Sequence, residues 1–366
     1  MNTRLDNVLA TERERLGWSQ TRMAEAGGVS RQSYAAIESG SAVPSTEVAL
    51  RLAASLGRSV GELFQLPDRP VSYCTGTWGG ARAPLPGCRV RLVRIAGCQV
   101  AHPVSEEHRP GVPADGVVEA FKKRRVKVRL LSEAPRPVHL SVVGCDPAFG
   151  ILAHALEREH GIEVSWSQRG SRAALAALAE GKAHIAGAHL YEAESDTWNG
   201  RCVRDLIPFP CTRISFAIWE QGILLRPALR DHIYGIGDLA DRRLRLLNRE
   251  EGSGSRELLD EALTLAGVET ASVEGYRTAA TGHLEVAEGI AAGAADVGIA
   301  IRAAGLSRGL GFLSLRQEAY ELIVANHFLD LPAVEILLDV LNRPGTRKQV
   351  EALGGYDTMN MGRDTA

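Results

Sequence analysis

Residues 248–259 read NREEGSGSRELL, a short polar run that ends in the start of an apolar helix. The segment before it, residues 244–247, reads as a buried strand. A Gly/Ser turn between a strand and a helix leaves the first backbone N–H groups of that helix unpaired. Those donors and the helix dipole suit an anion or a polar oxygen. Gly252 and Gly254 let a ligand approach the backbone, Ser253 and Ser255 add hydroxyl donors, and Arg256 adds a positive charge. The stretch lacks the lysine and the spacing of a nucleoside-triphosphate loop, so a small ligand is favoured over a nucleotide. The plainer reading is a turn with a serine cap.

The same strand, glycine turn and helix recur upstream. Residues 139–143 run into GCDP (144–147) and an amphipathic helix, and residues 163–188 repeat the plan around RGS (169–171). Such alternation predicts parallel sheets covered by helices, with ligands outside the carboxyl ends of the strands. So long a stretch is better divided into two lobes than held in one sheet. If the lobes face each other, Cys145, Asp146, Arg169 and Ser171 line one side and Ser253, Gly254, Ser255 and Arg256 the other.

The 366 residues are 45% hydrophobic, enough for two or three domains with proper cores. The net charge of −2 advertises no global affinity for nucleic acid, so a DNA-binding surface has to be local. The six cysteines form no C-x-x-C pair, and no Cys/His spacing matches a zinc site; no metal ligand and no cofactor are assigned. The first residues are charged and no apolar run reaches eighteen residues, so the expectation is a cytoplasmic protein with no membrane partner.

Residues 1–67 break into short helical pieces. Ser19 and Ser30 stand as N-caps, and Ala49, Leu52, Ala53 and Leu56 recur at helical spacing. SQTRMAEAGGVSRQSYAAIESGSAVPS (19–45) resembles the phage-repressor (Xre, lambda-repressor-like) family over residues 3–66. The resemblance implies an all-α helix-turn-helix domain that binds double-stranded operator DNA. By that match Ser30, Arg31, Gln32 and Ser33 open the recognition helix. There Arg can pair with guanine and Gln with adenine, while Gln20 suits a phosphate. Seven arginines meet seven acidic residues here, and such a neutral module binds weakly as a monomer. A homodimer or higher homo-oligomer is therefore expected.

Residues 68–137 read as a Gly/Pro-rich linker followed by a small β-rich segment. KKRRVKVR (122–129) reads as a solvated strand face. Residues 138–366 are assigned to the two-lobed domain. Over residues 138–358 the motifs GCDPAFGIL, RGSRAALAALAEGKAHIAGAHL, NREEGSGSRELLDEAL and GHLEVAEGIAAGAADVGIA resemble an α/β two-lobed type II periplasmic-binding-protein fold. They are most similar to the cytoplasmic substrate-binding-like domain fused to helix-turn-helix modules and to molybdenum-cofactor enzymes. The matched motifs add His189, Tyr276 and His283 to the ligand-binding candidates, and the family's relation to oxyanion binders implies molybdate or tungstate. Asp146 is a poor neighbour for a dianion; its carboxylate can cap its own helix or meet an amine or hydroxyl on an organic ligand.

The leading expectation is a transcription regulator that senses a small-molecule effector. A large domain kept only for assembly is the second reading. An enzyme is the third, with no catalytic residue assigned because no nucleophile–base spacing stands out.

Overall fold

A computed structural model describes residues 5–65, 72–107, 111–132, 140–241 and 244–365. The boundaries expected at 67/68 and 137/138, and the strand start at His139, lie outside the described residues. The chain forms two compact units, Met1–Val71 and Ser72–Ala366.

In the first unit, helices α1 (Leu9–Arg15), α2 (Gln20–Gly27), α3 (Arg31–Glu38), α4 (Thr46–Leu56) and α5 (Val60–Leu63) surround Leu9, Met23, Tyr34, Leu52 and Leu63. Each helix from α2 to α5 starts at a serine, Ser19, Ser30, Ser45 or Ser59, whose Oγ accepts a backbone N–H of the first turn. That local chemistry sets the helix starts without help from packing. Gly28 closes α2 in the left-handed region at φ +69°, which turns the chain into α3. Glu38 ties three helices together, accepting from Arg13 Nε at 2.6 Å, Gln20 Nε2 at 2.7 Å and Tyr34 Oη at 3.1 Å.

The second unit opens with a closed five-stranded barrel made of Tyr73–Trp78, Arg89–Ile95, Cys98–Pro103, Gly116–Lys122 and Arg125–Leu130. Residues 73–78, expected as linker, are a strand here. Tyr73–Trp78 closes the barrel by pairing Arg125–Leu130 on one side and Cys98–Pro103 on the other. Its Gly76 is needed, because a Cβ there would stand 2.9 Å from the Gln99 carbonyl oxygen. Arg125, Lys127 and Arg129 alternate with buried Val126 and Val128, as a solvated strand face requires.

The remainder is the α/β two-lobed domain. The parallel strands Leu140–Gly144, Val164–Gln168 and Ile185–Ala188 build the first lobe; Leu246–Arg249, Ala279–Ala280 and Val297–Ile301 build the second. Two long strands, Cys211–Leu225 and Gly311–Ala325, run antiparallel from Cys211↔Ala325 to Leu225↔Gly311 and belong to both lobes. Register shifts interrupt them at Ser215/Ala217 and Gln221/Gly222. Tyr356–Asp357 adds a short strand on Cys211–Leu225 at Trp219 and Ile218.

Two buried histidines flank the first strand of the domain. Ser141 N donates to His184 Nδ1 at 3.0 Å, and Ser141 Oγ meets His102 Nε2 at 3.2 Å. Burial holds His102 down to about 3 and His184 to about 4, with the charges of Arg169 and His327 respectively adding to the shift. Unfolding restores both to about 6.5. The unfolded chain therefore binds more protons below that pH, and stability falls as pH drops from 6.5 towards 4. Each ring contributes a slope approaching about 1.4 kcal/mol per pH unit. Urea midpoints at pH 7, 6 and 5 check this, and His102→Gln should flatten the decline.

Candidate functional site

In the first unit the proposed DNA-reading residues lie at the start of α3. Arg31, Gln32 and Ser33 are exposed. Ser30 is the N-cap, accepting from Ser33 N at 3.0 Å and sharing a 2.9 Å hydrogen bond with Ser33 Oγ. Gln20 is half-buried and its amide is engaged with Glu38. Arg31 and Gln32 thus project from the first turn of α3, the position from which a helix in the major groove reaches base edges.

In the second unit, eight of the sequence-derived ligand residues converge between the lobes. Cys145, Asp146, Ser171, His189, Ser253, Gly254, Ser255 and His283 are all buried. Cys145 and Asp146 sit on the turn after Leu140–Gly144, and His189 follows Ile185–Ala188. Ser253 and Ser255 open the helix Gly254–Leu265, and His283 opens His283–Ala291. Ser253 is an N-cap: its Oγ accepts from Arg256 N at 3.3 Å and donates to the Glu250 carbonyl at 2.8 Å. A Cβ on Gly254 would lie 2.6 Å from the His189 ring, so the lobes touch here. The plainer reading of the turn, a capped helix start, describes what the Ser253 hydroxyl does, whereas Ser255 Oγ points into the space between the lobes and donates to Gln221.

The centre is a continuous polar network. Cys145 Sγ lies 3.4 Å from His189 Nε2, and His189 Nδ1 lies 2.8 Å from Glu318 Oε2. Gln221 Nε2 donates to the same oxygen at 2.7 Å, and Gln221 Oε1 accepts from Ser255 Oγ at 2.8 Å. Arg249 Nη1 reaches His283 Nδ1 at 3.0 Å and Ser255 Oγ at 3.5 Å, while its Nε and Nη2 hold Glu250. Ser171 Oγ accepts the His189 backbone N–H at 3.1 Å. Trp219, from the shared strand, packs edge-on against both imidazoles. Burial by itself would discharge His189, but the Cys145 sulfur and the Glu318 carboxylate outweigh it and push its pKa up to about 10.

Asp146 caps its own turn, accepting from Ala148 N at 2.9 Å and Tyr356 Oη at 2.6 Å. Burial raises its carboxyl to about 7 against those hydrogen bonds. Its Oδ2 has no partner among the described residues.

Three candidates lie elsewhere. Arg256 pairs with Asp260 at 3.0 Å and stacks 4.1 Å from the Tyr276 ring, and Tyr276 Oη donates to Asp260 at 2.8 Å. They form a separate group along Gly254–Leu265, because an acid one helical turn on captures the arginine. Arg169 turns to the barrel, where it binds Glu106 at 2.6 Å and the Gly79 carbonyl. With Trp78, Gln168, Gly170 and Glu250 it lines a cavity of about 770 Å³ between the barrel and both lobes.

The buried cation is Arg249, which sequence reasoning passed over, as it did Gln221, Glu318 and Tyr356. Polar residues interrupting long apolar strands were the available signal. Local Cys/His spacing assigns no metal ligand, and the fold brings three candidate ligands together from distant positions. Cys145, His189 and His283 bring one potential ligand atom each to within 4.8 Å of one another. Cys145 and His189 alone are 44 residues apart, so no local spacing reveals the set.

Among the described residues no helix is long and apolar enough to cross a membrane. The PBP superfamily domain family matches residues 153–342, and the Helix-turn-helix family matches residues 9–63. The uncharacterized protein YvgK of Bacillus subtilis (strain 168) is 30% identical over 260 residues, covering 67% of this chain and 84% of YvgK. The uncharacterized HTH-type transcriptional regulator YgzD of the same organism is 36% identical over 64 residues, 18% of this chain and 97% of its own. The solved tungstate ABC transporter structure from Geobacter sulfurreducens aligns at 16% identity and a TM-score of 0.43, covering 58% of this chain and 97% of that one. This chain belongs to the PBP superfamily domain family and carries an Xre-like helix-turn-helix domain at its N-terminus.

Proposed function

We propose that this protein is a cytoplasmic transcription regulator that binds operator DNA as a homo-oligomer and changes that binding when a small molecule occupies its two-lobed domain. On this reading residues 1–67 read DNA, 68–137 are a linker and a small β-rich segment, and 138–366 respond to the effector. The observation that carries it is the polar network above. It draws residues from both lobes and from the strands they share, on a chain that also holds a helix-turn-helix domain. A network that bridges two lobes is made or broken with their closure, and a ligand that favours one of the two states shifts the population.

The 770 Å³ cavity is the better place for the effector than the Ser253–Ser255 turn, whose hydroxyls and Gly254 are taken up by protein partners. Its size suits a small organic molecule. Glu106, Glu107, Glu250 and Glu285 outnumber Arg82 and Arg169 in its walls, which disfavours a dianion such as molybdate or tungstate. No turnover of the effector is expected.

The test is thermal unfolding against organic metabolites, molybdate, tungstate, sulfate and phosphate, followed by DNA binding with any ligand that shifts the midpoint. A ligand at 100 times its dissociation constant adds about 2.7 kcal/mol. DNA binding that no ligand in such a screen alters would favour the assembly-only reading, which the engaged Ser253 and Ser255 also support. Arg31→Ala should cost about 1–3 kcal/mol of discrimination at one operator position. A uniform loss on all DNA would make Arg31 a phosphate contact only.

A further inference from the structure

The trio Cys145, His189 and His283 lies where the two lobes meet, beside an apolar core that contains Cys145 and runs on into Ala280, Val286 and Ile290 of the second lobe. What distinguishes it is the convergence of one sulfur and two imidazoles in a fully buried space, two of them from the first lobe and one from the second. We propose that these three residues bind a single soft monovalent metal ion, Cu(I), between the lobes.

Geometry comes first. A trigonal or tetrahedral ion with bonds of about 2.3 Å to sulfur and about 2.0 Å to nitrogen holds its S and N ligands about 3.5–3.8 Å apart. Cys145 Sγ and His189 Nε2 stand at 3.4 Å, and the whole trio lies within 4.8 Å. About an ångström of closure, within reach of side-chain torsions, completes the set.

The surroundings of His189 match those of a metal ligand. Its Nδ1 is held by the Glu318 carboxylate at 2.8 Å, which aims Nε2 at the sulfur; a carboxylate behind a ligating histidine is the usual orienting device. Gln221 and Arg316 in turn fix Glu318. On the other side Arg249 can only donate, so His283 Nδ1 accepts and the ring proton sits on Nε2 in the metal-free form. Loading moves that proton to Nδ1 and turns Arg249 Nη1 from the ring to Ser255 Oγ, 3.5 Å away. It also expels the proton shared by Cys145 and His189. Occupancy is thereby transmitted to the turn that opens Gly254–Leu265.

Charge and softness choose the ion. Around the trio, Arg249 faces both Glu250 and the Cys145 sulfur, and Arg316 faces Glu318 and Glu261, so the ligands stand beside a buried cation. Asp146 bonds to Tyr356 and its own turn, outside the trio. A monovalent cation adds less buried positive charge beside Arg249 than a divalent one. Three ligands of thiolate and imidazole type, with no carboxylate among them, suit Cu(I).

The experiment is an anaerobic titration of the full chain with Cu(I) against a colorimetric Cu(I) chelator, with X-ray absorption of the loaded protein. The expected result is a single ion per chain coordinated by one sulfur and two nitrogens. Cys145→Ser and His283→Gln should each abolish competition with the chelator, and Cys202→Ser should leave it unchanged. Glu318→Gln, which keeps an acceptor for His189 Nδ1, should weaken binding by about 10–100-fold. Thermal unfolding of each metal-free variant separates lost ligation from lost folding. Uptake unchanged in a folded Cys145→Ser variant would overturn the proposal, as would no uptake by the parent chain. So would more than one sulfur around copper, or Zn(II) held as tightly as Cu(I). None of these readouts involves DNA, so failure here and failure of the regulatory reading are told apart.

Discussion

Glu318→Ala should lower the stability of residues 72–366 by about 3–5 kcal/mol, the range for removing one partner of a buried ion pair. The Glu318 side chain is fully buried and carries His189, Gln221 and Arg316 on its two oxygens. Arg316 retains Glu261 at 2.8 Å near the surface, so the cost falls on His189 and Gln221. His189 then loses one of the two groups that hold its proton against burial. Glu318→Gln keeps an acceptor and should cost less, about 1–3 kcal/mol. Urea midpoints of the three proteins at neutral pH check the order. Equal stability of parent and Ala variant would mean that the lobes are already relaxed apart in solution.

Gly222→Ala should cost more than about 3 kcal/mol and leave little folded protein. Gly222 lies in the strand shared by both lobes, next to one of its register shifts, and a Cβ there runs into the Leu313 carbonyl oxygen of the partner strand. Backbone on one side and backbone on the other leave nothing that can swing away. Gly235→Ala is the matched control, because a Cβ at that position meets nothing within 4 Å. Soluble yield and thermal midpoint of the two variants give the comparison. A fully stable Gly222→Ala would show that the shared strands tolerate a shift in register.

The helical unit was legible because its determinants are local. Serine caps, glycine stops and helical spacing all fall within a turn or two of the residues they govern. The strand–turn–helix plan of the lobes was legible for the same reason. The pairing of 211–225 with 311–325 joins residues about a hundred positions apart, and no window on the chain contains it. Glu318 and Gln221 were missed with it, since each is a lone polar residue in a strand that looks merely apolar until its second lobe is present. Arg249 was passed over in favour of Arg256, though Arg249 is the one that ends a strand pointing between the lobes. Residues 73–78 read as linker because Gly76 looks like a breaker, whereas the barrel needs it for room. Arg169 was assigned to the lobes from its place beside Gly170, and Glu106 from the barrel takes it instead.

Residues 356–365 have a consequence for how the protein is made. They lie along Cys211–Leu225, bury Met361, place Tyr356 Oη on Asp146 and hand backbone partners to Ser215 and Arg213. The ribosome delivers them after every element they complete. During translation the helices and caps of the first unit emerge before the strands of the second, and domains commonly fold in that order. Nascent chains thus pass through an interval in which the helix-turn-helix unit has its full sequence and the two-lobed domain does not. A chain stalled in that interval would carry a complete helix-turn-helix unit beside an incomplete two-lobed domain.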